Sequence, residues 1–270
     1  DLSGMDVAAV ARRARTENFP VAPILFPRRL RPHLRNIYGF ARLVDILGDE
    51  IEGDRLAALD ELERELDACY SGEHPSWPVI RALAPTIREF SLPREPFVRL
   101  IDANRMDQRI SEYGTWEDLR EYCRHSADPV GRLVLGLLRL DDQPELVAAS
   151  DDVCTGLQLV NFLQDVPRDL QLGRIYLPLE DRRSFGVTEL DRPNAELNEL
   201  LRFEAERARG LLAQGRFLQE RIGGRIGRAV GLFARGGLAA LEALEAAHWD
   251  VFTQRPRPSR TRLARAAFAR

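Results

Sequence analysis

Between Gln158 and Pro178 the chain reads QLVNFLQDVPRDLQLGRIYLP, and its polar residues are spaced rather than scattered. Gln158, Asn161, Asp165 and Asp169 follow at steps of three, four and four, so a helix stacks their side chains along one face. The positions between them, Leu159, Val160, Phe162, Leu163, Val166 and Leu170, are apolar. Such a helix is buried over most of its circumference and carries two carboxylates and two amides inward. No stretch elsewhere alternates as a half-buried strand does, whereas helical periodicity recurs along most of the 270 residues. The expected fold is an all-α bundle closed around this stripe.

Carboxylates one turn apart in a buried helix repel each other and lose hydration, at a cost of several kcal/mol unless a cation compensates. A solvated acidic face is the alternative reading, weakened by a second stripe. In Tyr38 to Glu50, YGFARLVDILGDE, Asp45 and Asp49 are again four apart, and Arg42 and Tyr38 continue that face backwards. Two such helices set across a cavity can hold a hard divalent cation through oxygen ligands, here Asp45, Asp49, Asn161, Asp165 and Asp169. Mg2+ is the expected ion, because it keeps part of its water shell and bridges to phosphate. Arg42 adds a charge-assisted contact to a diphosphate.

These two stripes, together with ENFPVA at Glu17 to Ala22, YCRHSADPVGRL at Tyr122 to Leu133 and the RxYxP ending at Arg174, Tyr176 and Pro178, resemble the squalene and phytoene synthase family. The resemblance runs from Asn18 to about Pro258 and is greatest to the hydroxysqualene synthase branch of bacterial hopanoid biosynthesis. It implies an isoprenoid-synthase-type helical bundle with a central apolar cavity, residues 1–270 forming one domain of the head-to-head prenyl diphosphate type. It also implies catalytic roles for Asp45, Asp49, Asp165, Asp169 and Tyr122. Asn18, Tyr38, Arg42, Gln158, Asn161, Arg174 and Tyr176 would meet the substrate, with Arg174 and Tyr176 on a turn that closes over the diphosphate. The implied reaction turns presqualene diphosphate and water into hydroxysqualene and diphosphate without a reductant. The family's other outcomes are head-to-head condensations giving presqualene diphosphate, dehydrosqualene or phytoene. Gln164, where phytoene synthases usually carry arginine, favours the hydroxysqualene reading. Ile46, where the family usually has a second aspartate, keeps open a non-catalytic relative acting in assembly or binding. Other enzymes of the same pathway are the expected protein partners.

Composition narrows the classes independently. All 39 basic residues are arginine, which excludes a Schiff-base lysine and a Walker-type phosphate loop. The net charge of −3 gives no field that recruits nucleic acid. Cys69, Cys123 and Cys154 are far apart with no CxxC spacing, so neither a zinc site nor a disulfide framework is expected, in keeping with a reducing cytoplasm. No apolar run approaches the roughly eighteen residues needed to span a bilayer. The 253–270 tail holds Arg255, Arg257, Arg260, Arg262, Arg265 and Arg270 without an acid; it is either flexible or a peripheral contact with anionic lipid at the inner membrane face. The glycines of IGGRIGRAVG do not form GxGxxG after a strand, so NADPH is not expected.

The remaining expectations concern scaffold. Helices are read at Arg55 to Tyr70, Val79 to Phe90, from Pro93 onward, and as two long segments, Glu199 to Arg221 and Ile226 to Ala247. Arg28, Arg29, Arg31 and Arg35 read as a solvated face. Pro129 and Pro167 are each expected to kink a helix, the latter moving Asp169 off its stripe. The cluster Asp102, Asn104, Arg105, Asp107 and Gln108 singles out no residue.

Overall fold

The computed structural model describes residues 26–253 and 255–258. Asn18 and the tail beyond Pro258 lie outside the described residues. Helix α1 (Arg31–Asp45) starts with a proline in its first turn, where the missing N–H costs nothing. It runs directly into a π-helical turn, Ile46–Glu50. Asp54 caps α2 (Arg55–Ser71), accepting from Ala57 N, and Gly72 ends it in the left-handed conformation at φ 84°. Then come α3 (Pro78–Phe90), α4 (Glu95–Asp107), and α5 (Trp116–Ser126), which opens on a reciprocal capping box between Thr115 and Asp118. The chain continues through α6 (Asp128–Leu138), α7 (Pro144–Gln171), the short α8 (Leu179–Ser184), α9 (Ala195–Leu212), α10 (Gln214–Ile222) and α11 (Gly224–Ala246). Among the described residues the extended pairing is one parallel bridge, Glu112 to Ile175, so the fold is all-α.

Two apolar clusters position the site. Leu159, Val160, Phe162 and Leu163 of α7 pack with Leu200 and Leu201 of α9 and Leu241 of α11. Phe40 and Leu43 of α1 pack with Leu62, Leu83, Phe97 and Ile101 of α2 to α4, and the Phe40 and Phe97 rings meet edge to face at 5.1 Å. The acidic stripes of α1 and α7 thus belong to different halves of the core. The first is set by close packing: a Cβ on Gly48 would lie 1.9 Å from Asn104 Oδ1, and Gln108 Nε2 donates to the Gly48 carbonyl.

Several expectations are corrected. Pro129 kinks nothing, because the chain breaks between α5 and α6 and Pro129 falls in the first turn of α6. Pro167 lies inside α7, yet the helix continues four residues beyond it, to Gln171, and Asp165 and Asp169 line the same cavity. The segment read as one helix from Glu199 to Arg221 divides at Ala213. Asp128, one of the deepest carboxylates, is 1% exposed and accepts from Thr155 Oγ1 at 2.8 Å. Burial, and then the charge of Asp151, push it up to about 7.

Candidate active site

A cavity of about 350 Å³ opens between the two halves of the core. Helix α1 and its π-turn bring Arg42, Asp45 and Asp49 to it; α4 brings Ala103, Asn104 and Asp107; α7 brings Gln158, Asn161, Asp165 and Asp169. Tyr122 and Ser126 of α5, Arg168 of α7, Arg174 and Tyr176 of the loop after α7, and Arg255 complete its polar lining, while Val44, Leu100, Val130 and Phe162 supply apolar wall. Of the residues singled out in the sequence, Tyr38 alone among those described is not part of this lining. It is 38% exposed and lies one helical turn ahead of Ala41 and Arg42, where the cavity wall begins. Ile46 is buried off the cavity wall, so the acidic pair does not depend on that position.

Most of the charges are already matched to partners, Asp169 excepted. Arg174, 8% exposed, places Nη1 2.8 Å from Asp49 Oδ1 and 3.8 Å from Asp107 Oδ2. Tyr122 donates its hydroxyl to Asp107 Oδ2 and Tyr176 donates to Asp107 Oδ1, each at 2.7 Å. Arg42 pairs with Glu50 at 2.5 Å and stands 4.0 Å from Asp45. Arg255 reaches Asp165 with Nε 2.6 Å from Oδ1 and Nη2 2.7 Å from Oδ2. The rings stack around this network, Phe162 on Tyr176 at 4.1 Å and Tyr122 beside Tyr176 at 5.4 Å.

Burial dominates the protonation of these groups. It pushes Asp107 up to about 6, against the pull of Arg174 and the two tyrosine hydroxyls. It pushes Asp169 up to about 7, helped by the neighbouring Asp165 charge and opposed by Arg168 and Arg174. Asp165 is also raised by burial, with Arg255 the main opposing charge. Burial pulls the Arg174 guanidinium down, but Asp107, Tyr176 and Asp49 outweigh it and hold it above its ordinary range. The Tyr122 hydroxyl is raised well above its ordinary value by burial and by Asp107.

The donor set suits a hard divalent cation in its chemistry, since every candidate ligand offers oxygen. The raised Asp169 marks negative charge that the α7 pair has not had neutralised. In geometry the set is not preassembled: among the described residues no group of three or more His, Cys, Asp or Glu side chains is gathered as a metal cluster. Asp49 and Asp165 are each engaged by an arginine instead.

Two site residues went unread in the sequence. Asp107 has the same signal as the α7 stripe, since Asn104 and Asp107 are three apart beside Leu100 and Ala103, but Asp102 and Arg105 disguised that face as surface. Arg255, counted with the basic tail, carries no local signal because its partner is distant in sequence. Gln164 is 2% exposed and donates from Nε2 to the Pro256 carbonyl, away from the cavity lining.

Residues 12–262 match the model of the squalene/phytoene synthase family. The chain is similar to a hydroxysqualene synthase of Zymomonas mobilis subsp. mobilis, 35% identical over 181 residues that cover 65% of this chain and 59% of that protein. The match therefore spans less than two thirds of that relative's length. A phytoene synthase of Arthrospira platensis is 34% identical over 72% of this chain and 68% of its own. Among solved structures, the squalene synthase HpnC from Alicyclobacillus acidocaldarius superposes with a TM-score of 0.82 at 44% identity, covering 90% of this chain and 94% of that one. A dehydrosqualene synthase in complex with ligand superposes with a TM-score of 0.87 at 28% identity, covering 97% and 93%.

Proposed function

The chain belongs to the squalene/phytoene synthase family, and we propose that within it the chain converts presqualene diphosphate and water into hydroxysqualene and diphosphate, with Mg2+ as the metal. One observation carries the reading: Asp45 and Asp49 from one half of the core and Asp165 and Asp169 from the other line a single cavity with an apolar wall. The branch is supported by the 44% identity to the squalene synthase HpnC, by the hydroxysqualene synthases among the relatives, and by glutamine at position 164. Residues 1–270 act as one domain in this reading, and an isoprenoid diphosphate is the partner molecule.

Asp45, Asp49, Asn161, Asp165 and Asp169 would hold Mg2+, which would supply Lewis-acid charge for the diphosphate. The chain's own residues do the rest. The C–O bond to diphosphate breaks with its electron pair leaving on oxygen, and Arg42 and Arg174 supply charge for the departing anion. Tyr122 and Tyr176 commit their O–H groups to Asp107 and line the cavity together with Phe162, an aromatic wall that suits a carbocation. Rearrangement of that cation and capture by water, with loss of one proton, gives the alcohol. Gln158 and Asn161 line the α7 wall and orient the polar end.

The test is incubation of purified protein with Mg2+ and, separately, presqualene diphosphate and farnesyl diphosphate, with products identified by mass spectrometry. Hydroxysqualene from presqualene diphosphate is expected. Presqualene diphosphate or a hydrocarbon made from farnesyl diphosphate moves the chain to the condensing branch, and release of no diphosphate from either removes the enzymatic reading.

A further inference from the structure

Two consecutive residues of α7 hold two consecutive residues from the far end of the described chain. The Gln164 amide donates to the Pro256 carbonyl, and Arg255 spans both oxygens of Asp165. Gln164 is buried and turned from the cavity, whereas Asp165 lines it. A guanidinium lying across both oxygens of a carboxylate takes the positions a divalent cation uses.

We propose that Gln164 is a positioning residue, which by fixing Pro256 sets Arg255 on Asp165 as an internal counter-ion, and that a divalent cation enters the α7 acidic pair by exchanging with that guanidinium. The inference rests on reading Asp165 and Asp169 as metal ligands. Without a cation, Asp165 and Asp169 are two buried carboxylates one helical turn apart, and Arg255 offsets part of their repulsion. Arg255 has a way out: its side chain is 27% exposed, so it already reaches solvent at one side and release completes its hydration. Arg168 and Arg257 also act on Asp165 through their charge, but neither spans the carboxylate. The exchange restrains metal binding in the resting protein and couples it to movement of the 255–258 segment.

Mn2+ serves as the probe, titrated into the full chain without substrate. Free Mn2+ is read by electron paramagnetic resonance, and amide exchange is followed in the peptide covering residues 249–258. Arg255→Ala is expected to bind Mn2+ about tenfold more tightly than the parent, the low end of what one adjacent opposite charge does to a carboxylate's proton affinity. Gln164→Ala shifts the same way by a smaller factor and speeds exchange in the peptide before metal is added. Arg255→Lys, which keeps a charge without the fork, falls between, and Arg257→Ala stays within about twofold of the parent, as a charge that makes no direct pair. In the parent, Mn2+ itself speeds exchange in that peptide. Equal or weaker Mn2+ binding by folded Arg255→Ala overturns the exchange while leaving the metal site standing. Failure of every form to bind Mn2+ even with diphosphate present overturns the metal reading and the exchange with it.

Discussion

Arg174, in the loop after α7, is bound to Asp49, in the π-turn after α1, with 2.8 Å between Nη1 and Oδ1. Since α1 and α7 root in separate apolar clusters, this pair ties the two halves together across the cavity. Arg174→Gln is expected to lower kcat/KM by at least about a hundredfold, as removal of a group that stabilises developing negative charge does. Arg174→Lys keeps the charge but not the rigid guanidinium that sets Nη1 2.8 Å from Asp49 and 3.8 Å from Asp107, so it recovers only part of the loss. Steady-state diphosphate release measures both.

Asp165→Asn is expected to abolish turnover while the fold survives, because it removes a charge that repels Asp169. Circular dichroism and thermal melting check the fold, and product analysis checks the turnover. Normal turnover by this variant would falsify the metal assignment.

The buried carboxylates make a pH prediction for metal-free protein. Asp107 is pushed up to about 6, Asp128 and Asp169 to about 7, and Glu204, buried beside Asp181 and Arg207, to about 8. Each binds its proton more tightly folded than unfolded. The stability this contributes is full below the ordinary carboxylate range and is lost as pH rises through the raised values. The Tm is therefore expected to fall between pH 5 and pH 8. Asp128→Asn, which keeps the shape and the bond from Thr155 through its carbonyl, should flatten that slope. It should raise Tm by roughly a few degrees at pH 8, with the gain shrinking steadily as pH falls toward the ordinary carboxylate range.

Packing at the π-turn gives a double-variant test. Gly48→Ala drives a methyl into Asn104 Oδ1 and is expected to cost about 1–3 kcal/mol in chemical denaturation. In an Asn104→Ala background the same change should cost much less, a coupling that marks direct contact. Equal costs in both backgrounds would place the strain elsewhere.

The α7 stripe was legible because helix periodicity and burial act on the same residues, so its spacing alone put Gln158, Asn161, Asp165 and Asp169 on one wall. The first motif was legible in its acids but not in its backbone. The π-turn at Ile46–Glu50 brings Gly48 against Asn104 of another helix, an approach that no local pattern reports. Pro129 and Pro167 misled for opposite reasons. One sits in a helix's first turn, where proline is at home, and the other lies inside a long helix that runs on four residues past it. Asp107 was hidden by charged neighbours on the outer face of α4. Arg255 and Gln164 acquire meaning only through contacts across most of α7 to α11, a separation that sequence spacing does not encode.

The loop carrying Arg174 and Tyr176 is fastened along its length. Ile175 N bonds to Ser111 O, Leu179 N to Tyr113 O and Glu180 N to Gly114 O, while Arg174 N bonds back to Asp169 O. The first three of these backbone bonds join the segment to residues 111–114 along its length. Arg255 and Pro256, by contrast, are held to α7 by the side chains of Asp165 and Gln164. The two sides of the cavity are thus anchored in different ways, the arginine–tyrosine loop through its backbone and residues 255–256 through two α7 side chains, so the cation exchange proposed above would shift the second side and leave the first in place.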